Sequence, residues 1–252
     1  MTKAKLLTIP PSHYCEKARW ALDRAGVDYV EEGHAPILHY VFVYPRTRSK
    51  TVPVLVREGQ PPMADSTEIL RWADTQLPEH ERLFPTAHDA AVSELENTFD
   101  LELGVATRRL AYCHVASSKA LFAASFLDDL RGVERIAVEK GEAVMRRLLG
   151  KAFNVSDRAE ERMRKKVQGI FDDVATRLDG GSYLVGNRFT AADLTFVSLA
   201  NPILAIGQDI ARIDAAAPAF GALVRHFRET PAGGYATRIR EAHRSTPAVR
   251  AS

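Results

Sequence analysis

Ser12-His13-Tyr14-Cys15 is the stretch of the chain whose residue types and spacing most directly suggest chemistry. Two prolines and an aliphatic run precede it and an amphipathic run follows it, so it lies where a strand ends and a helix begins. The spacing is that of a redox Cys-x-x-Cys motif in which serine replaces the first cysteine. Free N–H groups and the positive end of a helix dipole stabilise an anion at such a junction. The Ser12 hydroxyl is therefore predicted to donate a hydrogen bond to a thiolate that a ligand supplies.

Two other interpretations of the same residues stay open. In a purely structural one, Ser12 is the N-cap of the helix and Cys15 is a small buried core residue. In the other, Cys15 itself reacts, because a thiol near a helix N-terminus ionises below its usual pKa of ~8.5 and a thiolate that solvent reaches can form a mixed disulfide.

Two residue pairs further along the chain could hold other parts of such a ligand. Pro53 lies inside an apparent strand, where proline is restricted to an edge or a special bend. A cis Val52–Pro53 bond would leave the backbone of Val52 free to pair with an extended ligand, whereas a trans bond would be an ordinary edge-strand feature. Asp65 and Ser66 precede a helix, and a hydroxyl with free N–H groups suits a carboxylate there. A plain helix cap explains the same pair equally well.

The elements that position these residues follow from the spacing of apolar side chains. In the first 80 residues this spacing predicts the order βαβ followed by ββα, with 33–50 as a connection. Strands are predicted at 4–9, 27–32 and 51–59, the last with a hairpin partner at 60–65, and helices at 15–25 and 65–77.

Beyond a polar, Pro-containing linker the periodicity is helical throughout. We therefore predict two domains, 1–80 and 89–252, joined by the linker 81–88. Helices are predicted near 89–112, 117–130, 132–150, 156–179, 190–207, 216–229 and 233–244. The stretch 131–168 is rich in basic residues, and a solvated helix pair is the favoured interpretation of it.

Composition limits the class of protein. The chain has 252 residues, 46% hydrophobic and 26% charged, which is ordinary for a globular protein. Its formal net charge of +2 gives no strong electrostatic attraction to nucleic acid. Two cysteines cannot form a disulfide framework and indicate a reducing compartment. The apolar stretch near the N-terminus is too short for a secretory signal, and no run is long enough for a membrane span. A cytoplasmic protein is predicted, with neither nucleic acid nor membrane as a partner.

Metal and nucleotide chemistry find no support in the sequence. Cys15 and Cys113 lie far apart, and no His/Cys/Asp cluster has the spacing of metal ligands. There is also no Gly-rich phosphate loop. No metal cofactor is expected.

The order of these motifs resembles the glutathione transferase family. The resemblance rests on Ser-x-x-Cys at the first helix, the Val52-Pro53 strand start and Asp65-Ser66 before the next helix. It continues in YLVGNRFTAADLTF (183–196), which is similar to that family's capping box and hydrophobic staple. There Thr190 would cap a helix with Asp193 at N3, and Phe189 would pack on Leu194. The resemblance spans roughly residues 4 to 230. It implies an α/β thioredoxin-like N-terminal domain followed by an all-α helical-bundle C-terminal domain.

The resemblance also implies roles for individual residues. Reduced glutathione would be the co-substrate, with its γ-glutamyl end at Asp65 and Ser66. Its cysteinyl part would pair with the backbone of Val52, the residue before a cis Pro53. Ser12 would be the catalytic residue, because serine-type members use this hydroxyl to stabilise the thiolate that attacks an electrophile.

Other contacts implied by the resemblance depart from the family pattern. Lys50, with Arg48 behind it, is the candidate for the glycyl carboxylate, although both could be solvated loop charges. The segment 33–50 lacks the usual Asn-Pro-x-Gly-Lys form. His13 stands where related motifs often have proline, and His13 or Tyr14 could each contribute a hydrogen bond.

The electrophile would bind against the first helices after the linker. Tyr112 and Phe122 are the candidates to line that pocket, although ordinary core aromatics would look the same. The resemblance favours a glutathione transferase acting on a small hydrophobic electrophile, and a homodimer. Two alternatives remain: a non-catalytic binding or dimerisation module with the same fold, and a glutathione-dependent thiol oxidoreductase that uses Cys15.

Overall fold

In the computed structural model, which describes residues 3–244, a small sheet with its helices comes first and a bundle of helices follows. This is the predicted combination of a thioredoxin-like N-terminal domain and an all-helical C-terminal domain. Residues 1–2 and 245–252 of the two predicted domains lie outside the described part. The first part contains β1 (Ala4–Thr8), α1 (His13–Arg24), β2 (Tyr29–Gly33), α2 (Tyr40–Thr47), β3 (Val54–Val56) and α3 (Ser66–Asp74).

The Ser12 turn lies at the end of the sheet where β1 and β2 finish. Its strand order is β2-β1-β3, with β1 parallel to β2 and antiparallel to β3. Since β1 and β2 are parallel, α1 must cross over between them, and both strands end at the same edge. There the His34 N–H donates to the Thr8 carbonyl at 2.9 Å, and a Cβ on Gly33 would lie 3.0 Å from Pro10 Cγ. The loop after β2 thus packs directly against the turn that leads to Ser12.

The second part is helical, as the periodicity predicted, but its helices are more numerous. The predicted helix 132–150 is two helices that meet at Gly141, and 89–112 is divided by a π-helical turn at Phe99–Leu103. An additional short helix precedes the one predicted at 216–229. The helices are α4 (Asp89–Thr98), α5 (Gly104–Val115), α6 (Lys119–Phe126), α7 (Gly132–Lys140), α8 (Glu142–Ala152), α9 (Asp157–Leu178), α10 (Ala191–Leu204), α11 (Ile210–Ala216), α12 (Pro218–Arg228) and α13 (Pro231–His243).

Two local predictions in the first part are wrong. The connection 33–50 contains α2, which buries Val43 and is followed by Arg48 in a left-handed conformation with φ of 58°. Alternating aromatic and β-branched residues, with Pro45 inside the helix, concealed it. The predicted hairpin partner at 60–65 is reduced to one bridge between Leu55 and Met63.

The strongest local prediction in the second part is confirmed. Thr190 caps α10, and the capping box with Asp193 is complete: the Thr190 N–H donates to Asp193 Oδ2 at 2.7 Å. Phe189 and Leu194, the predicted staple, are both buried. Helix α10 is almost entirely buried and packs against α1, α4 and α5, so it is the central helix of the molecule.

The C-terminal end of α13 returns to α1. The Trp20 indole N–H donates to the His243 carbonyl at 3.2 Å. Arg244 donates to Glu16 at 2.9 Å and to Asp23 at 2.8 Å. Helix α1 therefore contacts the end of α13 in addition to α3 and α10. None of the helices between residues 3 and 244 combines the length and the apolar character needed to cross a bilayer.

Candidate functional site

Ser12 is the N-cap of α1, as its position after the two prolines predicted. Its backbone is extended (φ −72°, ψ 123°) and its N–H donates to the Ile9 carbonyl at 2.9 Å. The first helical hydrogen bond runs from the Glu16 N–H to the Ser12 carbonyl, so the three N–H groups before it, those of His13, Tyr14 and Cys15, have no helical acceptor. The Ser12 hydroxyl is half-buried and accepts from the Cys15 N–H at only 3.4 Å. That weak cap uses the hydroxyl oxygen as an acceptor.

Cys15 lies one turn below, inside the protein. Its side chain is 0% exposed. Burial raises the pKa of the Cys15 thiol, and the Arg19 charge and the hydrogen bond from Ser12 oppose that rise only in part. A buried neutral thiol is a poor nucleophile, so this position suits packing better than thiol exchange.

His13 and Tyr14 point away from the turn, towards the helical bundle. His13 Nε2 donates to the Gly104 carbonyl at 2.9 Å, and burial lowers the His13 pKa to about 3. The Tyr14 hydroxyl donates to the Asp100 carbonyl at 2.7 Å, and burial raises its pKa to about 12. Both side chains are therefore neutral near pH 7 and fixed to the start of α5. His13 was a candidate for ligand binding and Tyr14 for catalysis, and in the structure the polar atoms of both are bonded to backbone carbonyls of the helical domain.

The Val52–Pro53 peptide bond is cis, as the family resemblance implied. It lies immediately before β3, in the connection that follows α2. Lys50 and Arg48, the candidates for a carboxylate contact, are both exposed in that connection. The Lys50 ammonium lies 5.2 Å from the ring centroid of Tyr40, so its charge stays at the surface.

Asp65 and Ser66 lie at the N-terminus of α3, as predicted. The Asp65 carboxylate accepts from the backbone N–H groups of Thr67 at 2.8 Å and Glu68 at 3.2 Å. Asp65 is exposed and Ser66 is buried. The pair therefore caps the helix, and the outer face of the Asp65 carboxylate stays open to solvent.

A buried ionic cluster beneath α3 was not foreseen. Lys17 is 0% exposed, and its ammonium donates to Thr67 Oγ1 at 2.8 Å, to Asp100 Oδ1 at 2.6 Å and to Glu96. Thr67 Oγ1 in turn donates to Glu96 at 2.7 Å. The cluster joins α1, the start of α3 and the α4–π-turn segment, so it ties the two candidate ligand-binding helix ends to the helical domain. No local pattern marks Lys17, because its acidic partners lie about 80 residues away in sequence.

The two aromatic candidates for the electrophile pocket differ in their surroundings. The Tyr112 ring is half-buried and stacks on Phe153, with 4.2 Å between ring centroids and 11° between planes. Phe122 is fully buried, its centroid 5.1 Å from that of Phe126. Of the two, only Tyr112 offers a surface to a ligand, and Phe122 acts as a core residue behind it.

Arg108 is a further residue at this place that the sequence did not reveal. Its guanidinium carbon lies 5.6 Å from the Tyr14 ring centroid and 5.4 Å from that of Phe153. The sole signal in the sequence was its position one helical turn before Tyr112. Within residues 3–244 no group of three or more His, Cys, Asp or Glu side chains could hold a metal ion.

Family models match both parts of the chain. The model described as "Glutathione S-transferase, N-terminal domain" matches residues 6–81, and the model described as "Glutathione S-transferase, C-terminal domain" matches residues 140–231. A search of curated proteins finds no significant match.

Solved structures share the fold over nearly the whole chain. A glutathione transferase from poplar is 12% identical, with 96% of this chain and 100% of that chain covered and a TM-score of 0.59. A glutathione S-transferase-I bound with lactoylglutathione is 18% identical, with 94% and 100% covered and a TM-score of 0.58. A glutathione S-transferase from Methylobacterium radiotolerans in complex with glutathione sulfonate is 20% identical, with 94% and 95% covered and a TM-score of 0.53.

Proposed function

The chain belongs to the glutathione S-transferase family, and from this premise we propose that it conjugates reduced glutathione to a small electrophile. One observation carries the proposal: the half-buried hydroxyl of Ser12 caps the N-terminus of α1, while Cys15 is fully buried. A site that stabilises an anion but lacks an accessible thiol is suited to a thiolate that the ligand brings.

Each part of glutathione has a counterpart in the proposed site. The γ-glutamyl end binds at Asp65 and Ser66, the cysteinyl part pairs with the backbone of Val52 before Pro53, and the glycyl carboxylate meets Lys50 or Arg48. In this proposal His13 and Tyr14 hold the start of α1 against α5 and do not touch glutathione, because their polar atoms are engaged with the Gly104 and Asp100 carbonyls.

The chemistry follows from the charge at the start of α1. The hydrogen bond from Ser12 and the helix N-terminus favour the thiolate over the thiol, and each unit by which they lower the thiol pKa represents about 1.4 kcal/mol. The thiolate sulfur then attacks an electrophilic carbon, and the leaving group departs with the electron pair of the bond that breaks.

The alternative chemistry through Cys15 is not part of the proposal. Its thiol is fully buried and burial raises its pKa, whereas an exchanging cysteine needs access to solvent and a lowered pKa. The family resemblance also leads us to propose a homodimer, which light scattering on the purified protein would test directly.

Calorimetric titration of reduced glutathione into the wild type and Ser12→Ala tests the function, together with the ultraviolet absorbance of bound thiolate across pH. We expect the wild type to bind glutathione with a lowered thiol pKa and Ser12→Ala to raise that pKa. Ser156→Ala is the matched control, because Ser156 caps α9 in the same way, accepting from the Ala159 N–H at 3.2 Å. It should lose cap stability without changing the thiol pKa. No glutathione binding at millimolar concentration would refute the proposal in favour of a non-catalytic module.

A further inference from the structure

Arg108 carries a charge at the contact between the two domains without an acidic partner. Its buried Nε makes no hydrogen bond, and no hydrogen bond or ion pair joins its side chain to any of residues 3–244. Arg24 and Arg57 also have an unbonded buried Nε, and each lies over a single ring, Phe189 and Trp72 respectively. Arg108 differs because two rings from separate elements, Tyr14 and Phe153, flank its guanidinium.

This charge lies beside the start of α1. Tyr14, which faces the guanidinium, is two residues beyond Ser12. Gly104, whose carbonyl accepts from His13, is one helical turn before Arg108 in α5. The Arg108 charge also contributes to lowering the pKa of His13 and opposes the rise in the pKa of Tyr14 and Tyr112. The guanidinium thus acts on the residues that follow Ser12.

An aromatic wall adjoins the same charge. Tyr112 lies one turn after Arg108 on the same face of α5, and its ring is nearly parallel to that of Phe153. The ring of Phe126 is also nearly parallel to that of Tyr112, with 6.4 Å between the ring centroids and 13° between the planes. Aromatic side chains and a cation without an acidic partner therefore meet at one place, where the helical domain faces the first turn of α1.

We propose that Arg108 binds a carboxylate on the electrophile, so that the preferred co-substrates are planar aromatic electrophiles with a carboxylate substituent. The inference rests on the proposed transferase function. A guanidinium presents its N–H donors in a planar fork that matches the two oxygens of a carboxylate, and its binding would give the Arg108 charge the partner that residues 3–244 do not provide. The aromatic body of the electrophile would lie against Tyr112 and Phe153.

A chloronitroaromatic acid illustrates the reaction. The glutathione sulfur adds to the ring carbon that bears chlorine, the C–S bond forms, and the C–Cl bond breaks with chloride leaving with its electron pair. The thiol proton has gone to solvent before the attack. The carboxylate takes no part in bond making and stays paired with Arg108, so the contact sets selectivity without altering the chemistry.

The first experiment compares 4-chloro-3,5-dinitrobenzoate with its methyl ester as electrophiles in the presence of glutathione. We expect the ratio of kcat/KM for the acid to that for the ester to fall at least tenfold in Arg108→Gln and less in Arg108→Lys. Comparing this ratio between proteins cancels the intrinsic reactivities of the two compounds. Arg147→Gln, which removes the same charge from the exposed surface of α8, should keep the wild-type ratio. An unchanged ratio in Arg108→Gln, or an equal loss for acid and ester, would overturn the inference and leave Arg108 as a packing residue between two rings.

A binding measurement separates this inference from the proposed function. Calorimetry with 3,5-dinitrobenzoate and its methyl ester, neither of which can react, should show about tenfold weaker binding of the acid alone in Arg108→Gln. Turnover of the chlorinated ester without any effect of Arg108 on the acid would refute the carboxylate site and leave the transferase function standing. Arg108-dependent binding of the acid in a protein that neither binds glutathione nor turns over the ester would support the carboxylate site and refute the transferase function.

Discussion

The ammonium of Lys17 donates to Asp100 Oδ1 at 2.6 Å across the contact between the two domains, and no part of the Lys17 side chain is exposed. Glu96, also buried, binds the same ammonium. Two carboxylates thus share one buried cation, with the Thr67 hydroxyl as the third ligand. Because Thr67 lies in the first turn of α3, this arrangement fixes Asp65 and Ser66 relative to α1.

Removing the cation from this cluster should be costly. Lys17→Met leaves the Glu96 and Asp100 carboxylates uncompensated in a buried place, and we expect the free energy of unfolding to fall by about 3–5 kcal/mol. Denaturant unfolding measures it. The control is Lys165→Met, whose ion pair with Glu161 has both side chains more than half exposed, so its loss should change stability much less than Lys17→Met does. Equal losses in the two variants would show that the cluster contributes nothing special.

The His13 imidazole should make stability depend on pH. Its pKa is about 3 in the folded protein against an ordinary value of 6.5, so the unfolded chain binds one more proton between these values. The free energy of unfolding should then rise with pH by roughly 1.4 kcal/mol per pH unit in that window. The His13 contribution is fully present above the window and is lost as the pH falls through it. His13→Gln, which can still donate to Gly104, should reduce the slope measured between pH 4.5 and 7 by the His13 contribution. The lowered pKa values of His39, His114 and His243 contribute equally in both proteins. His80→Gln, at an exposed side chain, should keep the wild-type slope.

Stability should depend on glycine at position 104, because there is no room for a side chain there. A Cβ there would lie 2.5 Å from the Tyr14 hydroxyl oxygen and 3.1 Å from Leu199 Cδ1. Alanine gains up to about 1 kcal/mol of helix propensity, but overpacking costs about 1–3 kcal/mol, so Gly104→Ala should lower stability. In a Tyr14→Ala background most of the overlap is absent, and the same change should become neutral or stabilising. Thermal unfolding of the four proteins gives the coupling, and additive effects would contradict it.

The start of α1 should activate a thiol at position 12 but not at position 15. In a Cys113→Ser background, the thiol of Cys15 should react slowly with a disulfide reagent at pH 7.5, because it is buried and its pKa is raised. Ser12→Cys together with Cys15→Ser should react at least about 100-fold faster, with a thiol pKa below ~8.5. Stopped-flow kinetics across pH would measure both. If Cys15 reacted faster than the new thiol at position 12, the result would contradict this prediction and favour the oxidoreductase alternative.

Features that depend on neighbours in sequence could be predicted. The Thr190–Asp193 capping box and the Ser12 and Asp65 caps are local patterns, because each side chain bonds to a backbone N–H two or three residues away. The helix at Tyr40–Thr47 was missed because its aromatic and β-branched residues have low helix propensity and its stability comes from burying Val43 against the sheet.

Features that depend on distant partners could not be predicted. Lys17 is unremarkable until Glu96 and Asp100 fold against it, and the contact of Arg108 with Tyr14 joins residues almost a hundred positions apart. Tyr14 and His13 were candidates for ligand contacts because they follow Ser12, yet their direction is set by carbonyl acceptors near the start of α5. Residue type and spacing suggested the candidate residues, and tertiary contacts decide the direction in which their side chains point.

The return of α13 to α1 has a consequence for how the molecule would come apart. Arg244, at the far end of the described chain, donates to Glu16 and Asp23 of α1. Lys17 and His13 of the same helix bind Asp100 and the Gly104 carbonyl. The predicted linker 81–88 therefore does not separate two independently folded halves, because contacts of α1 join them. A chain cleaved by protease within 81–88 should elute as one species under native conditions and separate only when both halves unfold together.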